Sequence, residues 1–425
     1  MLSPATENEP SYRLSRRELL TLISAIMALT AVAIDLMLPA FDDIRETFDL
    51  AEGSADTGKI VTVFFLGLAF AQLAYGPLAD RFGRKPILYL GVGIYILGAV
   101  GSALAPTFEL LLLSRFIWGV GAAGSRVVAT SIVRDRFEGK AMATIMSQIM
   151  AVFVLVPILA PAIGSLVIAV LPWRGVFWVC VVWAGLVTVW SFRMKETLDP
   201  ANQRPLSLRT TGQGFLQVSR TPITAGYTIA SVFLQSVFTA YLASSEVIIS
   251  DIFDRRDQFA FVFGGVAMMF GVGALVNGRV VGRFGIDPVV TTVFRVLLPL
   301  CALMTILAVA GDGTPNFWLF MPILGLVLGA FMFLLPNLNS AAMGPVGEIA
   351  GTAAALTGAA RIAGGAALGT IISNQVDVSV TPFAVGVTTM CTSAAISVWL
   401  VRRRATAREL RASASAPTLA ASEGA

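Results

Sequence analysis

Histidine is absent from this chain, and cysteine occurs only three times in 425 residues. Without histidine the usual neutral-pH proton carrier and the commonest metal ligand are both missing. Any proton chemistry therefore has to use carboxylates. Cys180, Cys301 and Cys391 sit singly inside apolar runs with no Cys-x-x-Cys spacing, so neither a disulfide nor a metal site is expected. Charge is scarce too: 13% of residues are Asp, Glu, Lys or Arg, against about 25% in an average soluble domain. No phosphate-binding loop is present, so ATP is not the expected driver and no cofactor is expected. The net charge of +4 is too small to suggest a nucleic-acid partner.

What the chain has instead is apolar length. Hydrophobic residues make up 56% of it, more than a soluble core could bury with so little charge left to cover the outside. A bilayer core takes roughly 20 apolar residues of helix. Spans are predicted near 18–40, 57–79, 86–105, 108–134, 141–170, 174–193, 222–250, 258–281, 288–310, 315–343, 348–376 and 381–401. Backbone groups in hydrocarbon must bond within their own segment, so these are helices. The first run, Leu19 to Ala40, exceeds the roughly 7–15 residues of a signal-peptide core and is expected to remain as a span.

The predicted fold is an all-α membrane protein of twelve transmembrane helices in two pseudo-symmetric six-helix bundles, 18–193 and 222–403. A polar linker, 194–221, joins them, and the ends 1–17 and 404–425 are expected to be disordered. Loops and ends on the linker's side carry 21 Lys and Arg; the opposite loops carry five, Arg45, Lys59, Arg174, Arg255 and Arg256. The richer side is expected to face the cytoplasm of a bacterial inner membrane, with both termini inside. A monomer surrounded by lipid is the expected state.

The chain also repeats itself. Gly76, Arg81, Phe82, Gly83 and Pro86 after span 2 recur as Gly278, Arg283, Phe284, Gly285 and Pro288 after span 8, all at an offset of 202 residues. Parallel halves of this kind place a binding site between them, near the membrane midplane.

The loop after span 2 reads Gly76-Pro77-Leu78-Ala79-Asp80-Arg81-Phe82-Gly83-Arg84-Lys85-Pro86. It resembles the cytoplasmic loop motif of the major facilitator superfamily. Gly76 and Gly83 permit a tight turn and close helix approach, and Asp80 can accept charge-assisted bonds. Arg134, at the end of span 4, and the start of span 11 are its expected partners. The resemblance implies a cytoplasmic gate made by Gly76, Asp80, Arg81, Gly83, Arg84 and Arg134, latched in the outward-facing state. Glu196, in a Lys-Glu-Thr-Leu string after span 6, is expected to pair with basic residues of the same loop.

Asp35 lies inside span 1, in Ala33-Ile34-Asp35-Leu36-Met37-Leu38-Pro39-Ala40. An ionisable residue there costs about 2.5–3.5 kcal/mol on insertion scales and usually has a function. The Asp-x-x-Leu-Pro-Ala string resembles the bicyclomycin/chloramphenicol-resistance branch of drug:proton antiporters. Arg115, in Arg115-Phe116-Ile117-Trp118-Gly119-Val120-Gly121-Ala122, resembles the superfamily's span-4 motif, tied to proton coupling. It is expected roughly 8–10 Å deep, at the level of Asp35, so a pair between them is allowed. Glu246, near the outer end of span 7, is either a second proton-coupling acid or an interfacial residue.

Arg126 follows Arg115 by eleven residues, close to three helical turns, and is expected to share its face and line the cavity. Arg361 in span 11 raises the same question, and Gln148, Gln235, Asn337 and Asn339 are further candidate cavity residues. Span 5 holds Pro157, Pro161 and Gly164, matching in part an exporter motif at which Ala160 and Ser165 stand where the pattern has glycine; a kink is expected there. The resemblance implies alternating access and proton-coupled efflux of drug-like small molecules, with Asp35 protonated from outside and deprotonated inside. Two alternatives remain: a metabolite or organic-anion transporter using Arg126 and Arg361, and a non-transporting membrane sensor.

Overall fold

The computed structural model describes residues 14–51, 55–137, 139–203 and 208–414. Among them are fourteen α-helices: α1 Arg16–Asp35, α2 Phe41–Thr47, α3 Gly58–Phe82, α4 Arg84–Leu104, α5 Phe108–Arg136, α6 Gly139–Val170, α7 Gly175–Ser191, α8 Leu208–Arg220, α9 Pro222–Glu246, α10 Phe259–Phe284, α11 Ile286–Ala310, α12 Phe317–Met343, α13 Ala350–Ser373 and α14 Thr381–Ala414. Ten segments are long and apolar enough to cross a membrane. Two shorter apolar stretches, Leu155–Val170 in α6 and Gly175–Ser191, complete the twelve expected spans. α2 continues the first of these segments, which runs Arg16–Thr47, and α8 lies in the linker.

The outer faces are apolar. Phe261 is 83% exposed and Val170 79%, a pattern water would penalise and lipid accepts. Polar residues turn inward instead: Asp35, Arg115 and Gln235 are all buried.

The internal repeat is visible in the backbone. Gly83 separates α3 from α4 with φ +99°, and Gly285 separates α10 from α11 with φ +80°. Only glycine adopts such a φ without strain, so the 202-residue offset marks two equal hairpins. The copies diverge in their charges. The second half has Gly282 and Ile286 where the first has Asp80 and Arg84. There Asp287 accepts from Arg402 of α14 at 2.7 Å.

Within the first half, α5 is wedged between α3 and α4. A Cβ on Gly119 would collide with the Phe64 carbonyl of α3, and one on Gly121 with the Tyr95 amide of α4. The glycines of the span-4 motif thus serve close packing. Gly119→Val is expected to cost about 3 kcal/mol, the upper end for overpacking. It should be read as a lowered melting temperature in detergent, and an unchanged melt would contradict so tight a crossing.

Two segment ends differ from the expected bounds, and the linker is partly helical. Span 1 is helical only to Asp35, because Pro39 and the turn Leu38–Ala40 break it before α2. The linker contains an amphipathic helix, α8, whose Val218 packs on Val346 and Ala353 of the second half. α14 continues to Ala414, past the expected tail boundary at 404. Residues 1–13 and 415–425, with Arg13 and Arg204 of the basic tally, lie outside the described residues.

The halves meet at the end away from the linker. Thr62 of α3 and Thr370 of α13 share a hydrogen bond of 2.7 Å. Gly58 of α3 lies against the Ala243 carbonyl of α9, and Gly264 of α10 against the Ile158 carbonyl of α6. Towards the linker end the halves part around a cavity of about 440 Å³.

Candidate functional site

Asp35 is the last residue of α1 and is 3% exposed. The helix stops there because Pro39 blocks its continuation, and the chain turns through Leu38–Ala40 into α2. On α6, Gly164 lets the Leu36 carbonyl approach where any Cβ would overlap it, so the proline-glycine segment of span 5 packs against the chain just beyond the acid. Both Pro157 and Pro161 lie inside an unbroken α6. Among the described residues, the Asp35 carboxyl has neither hydrogen bond nor ion pair. Across the seam it is within electrostatic range of Tyr241 of α9, whose hydroxyl is buried and unbonded. The Tyr241 ring stacks on Phe263 of α10, centroids 5.5 Å apart.

The allowed Asp35–Arg115 pair is not formed. Arg115 is fully buried and donates from Nη1 to the Ala33 carbonyl at 3.0 Å and from Nε to the Ile60 carbonyl at 3.5 Å. Phe64 and Trp118 hold its guanidinium, each ring centroid 4.7 Å away. The end of α1 leaves carbonyls free, and a cation is favoured at that negative pole. Arg115 therefore caps the helix that carries Asp35 and leaves the acid without a countercharge.

Arg126 lines the cavity with Gln72, Leu73 and Gly76 of α3. Facing them are Phe215 of α8 and Thr352 and Ala355 of α13. Arg361 of α13 donates from Nη1 to Oε1 of Gln235 on α9 and lies within electrostatic range of Arg126. The other cavity expectations are corrected. Asn337 binds Asn277 of α10 at 3.0 Å and the Phe333 carbonyl at 2.6 Å, joining two helices of one half. Asn339 and Gln148 are exposed, and neither they nor Gln235 and Arg361 are among the cavity's lining residues. An amide in a span can satisfy a neighbouring helix as readily as a ligand, and sequence alone does not separate the two.

Glu246 sits in an ion network at the end away from the linker. Arg45 of α2 pairs with Glu246 at 2.8 Å, with Asp251 at 3.2 Å and with Asp42. Arg256 pairs with Asp42 at 2.6 Å and Asp251 at 3.5 Å. The Arg45 and Glu246 side chains are 6% and 2% exposed. A π-helical turn, Val247–Ile252, follows Glu246. Residues five apart point away from each other in an α-helix but share a face in a π-turn, so Glu246 and Asp251 both reach Arg45. This bridge between the halves was not anticipated, although a lone arginine among acidic outer loops was a usable signal. Arg45→Ala is expected to speed thiol labelling of a cysteine placed at Thr62, because the Glu246 carboxylate is then left buried and unpaired. An unchanged labelling rate would rule out a latch.

At the linker end, Arg84 is 2% exposed. It donates to Asp135 from Nε at 2.7 Å and Nη2 at 3.1 Å, and to Asp80 from Nη1 at 2.6 Å. Arg134 stands 3.9 Å from Asp80. Glu196 does not pair with a basic side chain of the loop. It accepts the backbone N–H groups of Arg84 at 2.9 Å and Lys85 at 3.0 Å, capping the first turn of α4, where orphan donors and a positive pole favour a carboxylate. Arg81 is exposed and has no partner among the described residues. Gly76 has open space beside it, and the start of span 11 lies across the cavity from Asp80. Asp135 is the cluster member that sequence reasoning missed, although it stands between two arginines of span 4.

The Major Facilitator Superfamily family model matches residues 21–370. A bicyclomycin resistance protein homolog of Haemophilus influenzae is 29% identical over 367 residues, covering 83% of this chain and 88% of that protein. The multidrug resistance protein MdtL of Escherichia coli is 29% identical over 346 residues, covering 80% and 84%. A D-xylose-proton symporter shares the fold at a TM-score of 0.74 with 14% identity, over 90% of this chain and 97% of that one. With twelve spans, two like halves around a cavity and this match along most of its length, the chain belongs to the Major Facilitator Superfamily and resembles its bicyclomycin-resistance branch.

Proposed function

We propose that this protein exports small drug-like molecules from the cytoplasm in exchange for protons, by alternating access. The observation that carries the reading is Asp35, a carboxyl buried at the seam between the halves with no partner among the described residues. A buried acid without a fixed countercharge can exchange its proton at little structural cost. The resemblance to relatives named for bicyclomycin and multidrug resistance supports this direction and class of cargo. The cavity lies at the linker end, and the excess of basic residues there supports a cytoplasmic placement of that side.

In this arrangement a compound enters from the cytoplasm and Asp35 gives up its proton to that side. The network of Arg45, Glu246 and Asp251 then breaks, and the cluster of Asp80, Arg84 and Arg134 meets the start of α13 across the cavity, using the space beside Gly76. Facing outward, the compound leaves and Asp35 takes a proton. Arg115 keeps the end of α1 in place throughout. The test is a growth-inhibition panel in a pump-deficient host, followed by proton release from everted vesicles on addition of each protected compound. Protection accompanied by proton release is expected; protection with no proton movement would defeat the coupling.

A further inference from the structure

Arg126 lines the cavity that receives the cargo, and Arg361 stands on α13, whose Thr352 and Ala355 line its other side. Arg126 comes from the first half and Arg361 from the second, and each lies within electrostatic range of the other. Among the described residues the Arg126 side chain has no hydrogen bond and no ion pair, and it lines the cavity. Arg361 makes one side-chain bond, to the neutral amide of Gln235. A guanidinium offers five N–H donors, so most donors of this pair are unclaimed. Both residues are half-buried and like-charged, so an anion that joins them relieves their mutual repulsion. Asp80 lines the cavity nearer its mouth and is already engaged by Arg84. Among the described residues Asp35 makes no ion pair with either arginine and is not among the cavity's lining residues, so an anion held there does not contend with the proton for one site.

We propose that Arg126 and Arg361 form an anion subsite, and that the cargo includes amphipathic organic monoanions such as aromatic carboxylates. The pair supplies planar, forked donors of the kind that bind a carboxylate. Leu73, Val127 and Phe215 in the same cavity suit an apolar body attached to it. The two arginines belong to different halves, so the bound anion draws the halves together as the cavity closes. The inference rests on the export reading, since it names the class of compound for the same cavity.

The test is equilibrium binding of 1-naphthoate and its neutral analogue 1-naphthamide to the full chain in phosphatidylcholine nanodiscs. No proton gradient is applied. Wild-type protein should prefer the carboxylate by about tenfold, a single charge-assisted bond sufficing for that ratio. Arg126→Gln and Arg361→Gln should each bring the ratio close to one, while Arg126→Lys retains a preference. Ligand-free melting of each variant identifies any that fails to fold, and Arg126→Lys keeps the comparison available. A wild-type ratio near one overturns the subsite. So does a preference that disappears when phosphatidylglycerol is added, because the site then belongs to lipid phosphate. Neither outcome touches the export reading, which the vesicle assay judges separately.

Discussion

Asp35→Asn reduces proton-driven flux to the passive leak while the protein folds and inserts normally. Asparagine keeps the size and polarity of the side chain but cannot exchange a proton. In most proteins removing a buried carboxylate orphans a cation. Here Arg115 is bound to the carbonyls of Ala33 and Ile60 and not to Asp35, so the substitution leaves no charge behind. The melting temperature should stay level or rise, since an unpartnered buried acid contributes nothing to stability. The two readouts together separate coupling from folding: vesicles with Asp35→Asn should neither take up nor release protons on addition of a transported compound, and Asp35→Glu should recover part of the exchange. Undiminished proton movement in Asp35→Asn would remove the acid from the mechanism.

Arg84→Ala destabilises the protein by about 2–4 kcal/mol. The full loss for a broken buried pair is about 3–5 kcal/mol, and it is reduced here because the Asp80 side chain is 32% exposed and Asp135 15%. Three charge-assisted bonds disappear at once, and two carboxylates are left close together. Arg84→Lys should recover little of this, because an ammonium cannot make the two-pronged contact with Asp135. Arg193 offers the contrast. Its pair with Glu18 at 2.9 Å involves an arginine side chain that is 59% exposed, and Arg193→Ala should cost no more than about 1 kcal/mol. Thermal unfolding in detergent compares the variants directly, and equal losses at the two sites would contradict the burial argument.

The contrast between Asp35 and Arg115 shows how far local reading reaches. That Asp35 is inside a span follows from the apolar run around it, and the cost of placing it there marks it for a function. Its neighbour was less accessible. Helical spacing put Arg115 at the right depth, but its partner depended on where α1 ends and which carbonyls that end releases. The same holds for Glu196: its place beside the loop was legible from the motif, whereas its acceptance of backbone N–H groups required the turn at Gly83. Glu246 gives the sharpest case, because a π-turn set its direction and its arginine lies 201 residues away in the chain.

By itself the sequence determined the twelve spans, the two like halves, the glycine-centred loop with its charges and the placement of Asp35 inside a span. These follow from hydropathy, from backbone rules that act over a few residues and from a repeat that can be counted. Only the tertiary structure decided which polar side chains face the cavity, which bind a neighbouring helix and which tie the halves together. Asn337 and Arg361 each sit in an apolar helix, yet one joins α10 to α12 and the other donates to Gln235 of α9. The physical reason is that insertion energy depends on a residue and its own helix, whereas a hydrogen bond depends on the rotation of two helices that meet only after the chain has packed.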